Sequence, residues 1–141
     1  ELKKSSRKII LIRGLPGDDN FLIQSNDKIE IHNHLPSAAL NRAILQSGIV
    51  ICRSGYTSIM DLIKLNQKAI LIPTPGQTEQ EYLAAYLMQK KIFFSVPQNN
   101  FSLPAAIHGI TGFHFAVMNV KQDEYKGVIK ESIQQLFSKK L

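Results

Sequence analysis

Residues Ile51 to Leu83 read "ICRSGYTSIMDLIKLNQKAILIPTPGQTEQEYL" and carry one design twice. In each copy an aliphatic run ends in small, hydroxylic or glycine residues, and an acidic residue follows within a turn or two. "IVICR" (Ile49 to Arg53) and "AILIP" (Ala69 to Pro73) show no polar alternation, the pattern of strands covered on both faces. After the first, Ile59, Leu62 and Ile63 fall at helical spacing, and after the second Tyr82, Leu83, Tyr86 and Leu87 do. Strand, loop, helix, strand, loop, helix is the order of parallel pairing, so the stretch predicts an α/β fold.

Working outward, "KIILIR" (Lys8 to Arg13), "KIEIH" (Lys28 to His32) and "IFFSVP" (Ile92 to Pro97) supply three further strands. Beyond Pro97 the pattern weakens to a short helix over Ser102 to Gly109. A last amphipathic helix is expected over 123–139, with Tyr125, Val128, Ile129, Ile133, Leu136 and Phe137 on one face. At 141 residues, with 44% hydrophobic and 20% charged residues, the chain has the size and composition of one globular domain.

Seventeen basic against eleven acidic residues give a net charge of +6. The excess sits in "KKSSRK", "QKK" and "SKKL", which read as solvated ends and helix faces, and no aromatic-interleaved nucleic-acid module accompanies it. The single cysteine, Cys52, lies in an apolar run, which excludes a disulfide framework and reads as a buried inert thiol. No run reaches the ~18 apolar residues of a membrane span, and the first residues lack the apolar stretch of a signal peptide. A cytoplasmic chain is the expectation, with peripheral contact at the inner face of a membrane left open.

The two loops admit two readings. Ser58-x-x-Asp61 and Thr78-x-x-Glu81 both match the capping box, in which a hydroxyl and a carboxylate satisfy the first helical N–H groups with no ligand involved. Alternatively "RSGYTS" is a phosphate site. Gly55 permits close backbone approach, Ser54, Thr57 and Ser58 offer hydroxyls, and Ser58 begins the helix. In "PTPGQTEQE" two prolines and a glycine hold a turn, after which Gln77, Glu79, Gln80 and Glu81 offer amides and carboxylates suited to sugar hydroxyls.

"CRSGYTSIMDLIKLNQKAILIPTPGQTEQEYLAAYL" resembles the nucleotide-sugar-binding half of GT-B glycosyltransferases of the family 28 type, which includes the bacterial lipid-II-forming N-acetylglucosaminyltransferase. The resemblance covers about Ile9 to Val96, with its specific part at Cys52 to Tyr86. It implies a Rossmann-like three-layer parallel sheet with helices on both faces, as in a partial GT-B C-terminal domain. It also implies a UDP-sugar donor whose diphosphate meets Ser54, Gly55, Tyr56, Thr57 and Ser58, and whose ribose meets Asp61. Gln80 and Glu81, with Gln77 and Thr78, stand where the family contacts the donor sugar, and the uracil contact falls near His34 or Leu35. Two departures stand out: the ribose acid is usually glutamate and here is Asp61, and the second member of the family's glutamine pair is Glu81. The donor sugar therefore stays open, a hexose or an N-acetylhexosamine.

The resemblance further implies that this is a fragment of a longer transferase, inactive alone, whose acceptor-binding half and catalytic base lie in an N-terminal domain or a separate subunit. No cofactor and no metal are expected. "RGLPG" (Arg13 to Gly17) reads as a strand-ending turn, and His32 and His34 as ordinary strand-end or loop residues despite a spacing that puts both on one strand face. His108 and His114 read as structural, and Tyr82 and Tyr86 as core. The competing functions are a GT-B-fold UDP-sugar 2-epimerase and a non-catalytic α/β interaction domain whose loops are merely capped helices.

Overall fold

The computed structural model describes residues 7–15, 22–25, 27–116, 127, 129–131 and 134. The chain divides into two compact units, Glu1–Ser47 and Gly48–Leu141.

The first unit holds strands β1 (Ile9–Ile12), β2 (Leu22–Ser25) and β3 (Ile29–His32) and helix α1 (Ser37–Gln46). Its sheet runs β1-β3-β2, with β1 parallel to β3 and β2 antiparallel to it. β1 and β3 form where the aliphatic runs predict them. β2 and α1 were not expected: β2 pairs through a register shift between Leu22 and Gln24, which breaks any apolar period, and α1 buries no residue fully. Ile10 and Leu11 are exposed, so β1 is not covered on both faces. Beyond it the chain turns at Gly14 (φ +71), where Arg13 and Leu15 donate their N–H groups to the carbonyls of His32 and Asn33. The strand-ending reading of "RGLPG" holds as far as Leu15; the rest of that motif lies outside the described residues.

The second unit is built as the opening stretch predicts. Strands β4 (Val50–Cys52), β5 (Ala69–Leu71) and β6 (Phe94–Ser95) form a parallel sheet in sequence order, connected by helices α2 (Tyr56–Lys64) and α3 (Thr78–Gln89). Central β5 is buried at every residue, as its unbroken apolar run requires. β4 lies at the sheet edge, and its Ile51 is 37% exposed, a departure from the expectation of cover on both faces. α2 buries Ile59, Leu62 and Ile63, and α3 buries Leu83, Ala84 and Leu87. Tyr82 and Tyr86 flank that buried face half-exposed, their rings 6.1 Å apart and nearly parallel.

Helix α4 (Leu103–Thr111) occupies the place of the expected short helix and packs Ala106 and Ile110 on Ile70, with Phe94, Phe101 and Phe115 around them. Of the helix expected over 123–139, residues 127, 129–131 and 134 are described and helical, with Ile129 buried; its other positions lie outside the described residues.

The duplicated design is real at the helix ends. After α2, Asn66 (φ 51) and Gln67 return their N–H groups to Ile63 and Leu62; after α3, Lys91 (φ 58) and Ile92 return theirs to Met88 and Leu87. Both are Schellman closures, which satisfy the last carbonyls and turn the chain into the next strand. The two copies differ where the helices begin.

Candidate functional site

At the end of β4 the chain passes through Arg53, Ser54 and Gly55 into α2. Gly55 is the N-cap residue in extended conformation, and no side chain caps the helix. The capping box expected at Ser58 and Asp61 is therefore not formed. The helix starts at Tyr56, which puts Ser58 already inside the first turn, a correction to its reading as the start. Ile59 N–H closes that turn on the Gly55 carbonyl at 3.0 Å, so Tyr56, Thr57 and Ser58 are left with N–H groups that have no intrahelical acceptor. No acidic residue lies in this turn, and Thr57 and Ser58 are exposed. A Cβ on Gly55 would meet nothing within 4 Å, so the missing side chain leaves bare backbone rather than relieving a clash. Positive helix end, free amides and uncovered backbone are the features of an anion site.

Two neighbours of this turn tie it to the rest of the unit, buried Ser54 and exposed Arg53. Ser54 is 0% exposed and donates its hydroxyl to the Gln80 carbonyl at 2.8 Å, which ties the first loop to the start of α3. Its proton is thus directed at protein, while its oxygen retains acceptor capacity. Arg53, a residue the sequence reading did not single out, donates Nη1 to the Ile72 carbonyl at 3.3 Å and to Gln98 Oε1, with the Pro73 carbonyl at 3.5 Å. Both contacts span 19 or more residues, beyond the reach of a local motif. Asp61, one turn into α2, is exposed, and among the described residues its carboxylate has no hydrogen-bond or ion-pair partner.

The second loop is made differently. Thr74, Pro75, Gly76 and Gln77 form a turn of the type II pattern, with proline second, glycine third at φ +81 and Gln77 N–H closing on the Thr74 carbonyl at 3.1 Å. Pro73 and Pro75 have no N–H. Thr74 N–H donates to Gln80 Oε1 and Gly76 N–H to Glu81 Oε1, each at 3.0 Å, and Gln80 Nε2 donates to Gln77 Oε1. α3 has Gln77 as its N-cap residue without a side-chain cap bond, so the second capping box, Thr78 with Glu81, is not formed either. Glu81 reaches past Thr78 to Gly76. Glu79 and Glu81 both lie in the first turn, giving this helix start the negative charge that α2 lacks.

The histidines belong to other settings. His32 is buried at the end of β3, with Nε2 2.7 Å from Glu30 Oε1, while His34 is exposed beyond the strand and Leu35 is half-buried. His34 and Leu35 belong to the first unit. His108 and His114 are exposed in the second. Cys52 is half-buried, and burial pushes its thiol from an ordinary 9.0 up to about 11. It stays protonated at neutral pH, so iodoacetamide at pH 8 is expected to leave it unmodified in the native protein and to alkylate it once urea unfolds the chain. Mass spectrometry of the two samples checks this, and equal labelling would show the thiol is not shielded.

Parallel strands whose C-terminal ends lead through glycine-bearing loops into helices define a Rossmann-like α/β domain. The "Glycosyltransferase family 28 C-terminal domain" matches residues 1–113, and the chain belongs to that family. Among solved structures, "Spinosyn Forosaminyltransferase SpnP" has a similar fold, with a TM-score of 0.55 and 12% identity over 90% of this chain. The match covers 30% of that protein's length. No curated protein sequence matches the chain. Among the described residues no helix is long and apolar enough to cross a membrane.

Proposed function

We propose that this domain binds the nucleotide-sugar donor of a glycosyltransferase, a UDP-linked hexose or N-acetylhexosamine, and leaves the acceptor to another domain or subunit. The observation that carries the reading is the contrast between two helix starts joined by the Ser54–Gln80 bond of 2.8 Å. The α2 start offers amides and hydroxyls with no acid in its first turn; the α3 start carries Glu79, the Gln77 amide and the Thr78 hydroxyl beside a loop whose N–H groups are already taken. A diphosphate needs donors, and a sugar ring needs acceptors for its hydroxyls. A nucleotide sugar carries both groups in one molecule.

In this reading the backbone of Gly55, Tyr56, Thr57 and Ser58 holds the diphosphate, with Ser54 beneath it. Asp61 takes the ribose hydroxyls. Gln77 and Thr78 line the sugar side, on the turn that Gln80 and Glu81 hold from the first turn of α3. As the glycosidic bond breaks, negative charge grows on the leaving diphosphate. Fixed amides at a positive helix end stabilise that charge without having to reorient. The rival of merely capped helices needs side-chain caps at Ser58 and Thr78, and neither helix has one.

Titration with UDP, followed through backbone amide resonances, tests the reading. The largest shifts are expected at Gly55 to Ser58 and at Asp61. Shifts centred instead on Arg13 to Leu15 or on His32 and His34, or no shifts at millimolar UDP, would overturn it.

A further inference from the structure

The loop from Pro73 to Gln77 has only three backbone N–H groups, because two of its five residues are proline. All three have acceptors within the protein. Gln77 N–H closes the turn on Thr74, and the other two, of Thr74 and Gly76, are taken by Oε1 atoms of Gln80 and Glu81. These acceptors come from consecutive residues in the first turn of α3 and reach back to either side of Pro75. Gly76 sits at φ +81, a conformation with little intrinsic preference in a flexible loop, so the bond from Glu81 fixes the residue that most needs fixing. The Gln80 main-chain carbonyl also receives the buried Ser54 hydroxyl, which makes Gln80 the junction between the two loops.

We propose that Gln80 and Glu81 are positioning residues. They hold the Thr74–Gln77 turn in its shape through their Oε1 acceptors, and the negative charge of Glu81 is dispensable for this. The side chains left to face a donor sugar are Gln77 and Thr78, both exposed. The sugar-side consequence rests on the donor-binding reading; the positioning role does not.

The Oε1 of glutamine accepts the same hydrogen bond as that of glutamate, so Glu81→Gln separates shape from charge. Two readouts are taken on the parent protein, Glu81→Gln, Glu81→Ala and Gln80→Ala: hydrogen exchange of the Thr74 and Gly76 amides without ligand, and the affinity ratio for UDP-glucose against UDP-N-acetylglucosamine. Glu81→Ala is expected to speed Gly76 exchange by about tenfold or more, and Gln80→Ala to do the same at Thr74, as a local opening replaces a bonded amide. Glu81→Gln is expected to keep both the parent exchange rate and the parent donor ratio, whereas Glu81→Ala loses the ratio. A Glu81→Gln protein as altered in donor ratio as Glu81→Ala would mean that the carboxylate touches the sugar, and the proposal falls. Gly76 exchange indifferent to Glu81→Ala overturns it as well. A parent protein that binds neither UDP-sugar refutes the donor-binding reading, while the exchange rates still decide whether these residues position the loop.

Discussion

Asp61→Ala is expected to weaken UDP binding roughly 10- to 150-fold, about 1.5–3 kcal/mol, while leaving the melting temperature within a degree or so of the parent. The argument rests on what Asp61 does not do. Its carboxylate is exposed, it lies outside the first turn of α2, and among the described residues it bonds to nothing. A helix-capping role would have cost stability on alanine substitution, on the order of 1 kcal/mol, and that role is absent. A carboxylate one turn from a diphosphate site is suited to accept both ribose hydroxyls, in charge-assisted bonds that exist only in the complex. Calorimetric titration and a melting curve on the same two proteins check it. A variant that melts lower yet binds UDP as the parent does would show that Asp61 serves the helix and that the first loop has been misread.

The strands of the second unit were legible because a buried parallel strand writes itself as an uninterrupted aliphatic run, and β5 is the clearest case. The helices were legible from Ile59, Leu62 and Ile63 and from Leu83 and Leu87, whose spacing matches the buried faces. What escaped was either weakly buried or non-local. α1 buries no residue fully, so little in its sequence had to obey a period, and β2 meets β3 through a register shift. Spacing alone pairs a hydroxyl with the acid three residues on, and so places the N-caps three residues too late at Ser58 and one too late at Thr78. In the folded chain the serine that matters is Ser54, which bonds to Gln80, 26 residues away. Arg53 was missed for the same reason: its partners, Ile72 and Gln98, are brought to it only by parallel pairing of β4 with β5 and β5 with β6. Glu81 was legible as an acceptor near a helix start, but its donor is the Gly76 amide rather than a residue of a capping box.

Ile59→Ala should show the converse of Asp61→Ala. Ile59 is 0% exposed, and its N–H makes the bond that closes the first turn of α2 on Gly55. Truncation removes three carbons from a packed site in the same first turn as the free amides, with an expected loss of about 2–5 kcal/mol from the transfer and cavity terms together. The backbone that holds the diphosphate is untouched, so the folded fraction should bind UDP with the parent's affinity. Mass action then gives a second, independent expectation. UDP at about one hundred times its dissociation constant should return about 2.7 kcal/mol, visible as a rise in the urea midpoint of Ile59→Ala equal to that of the parent. Asp61→Ala at the same UDP concentration should gain far less, because its dissociation constant has risen. The pair thus separates packing under the loop from contact with the ligand. Were Ile59→Ala to gain no more from UDP than Asp61→Ala does, the amides of the α2 start would depend on the core beneath them for their geometry, and the first loop could not be treated as a rigid anion site.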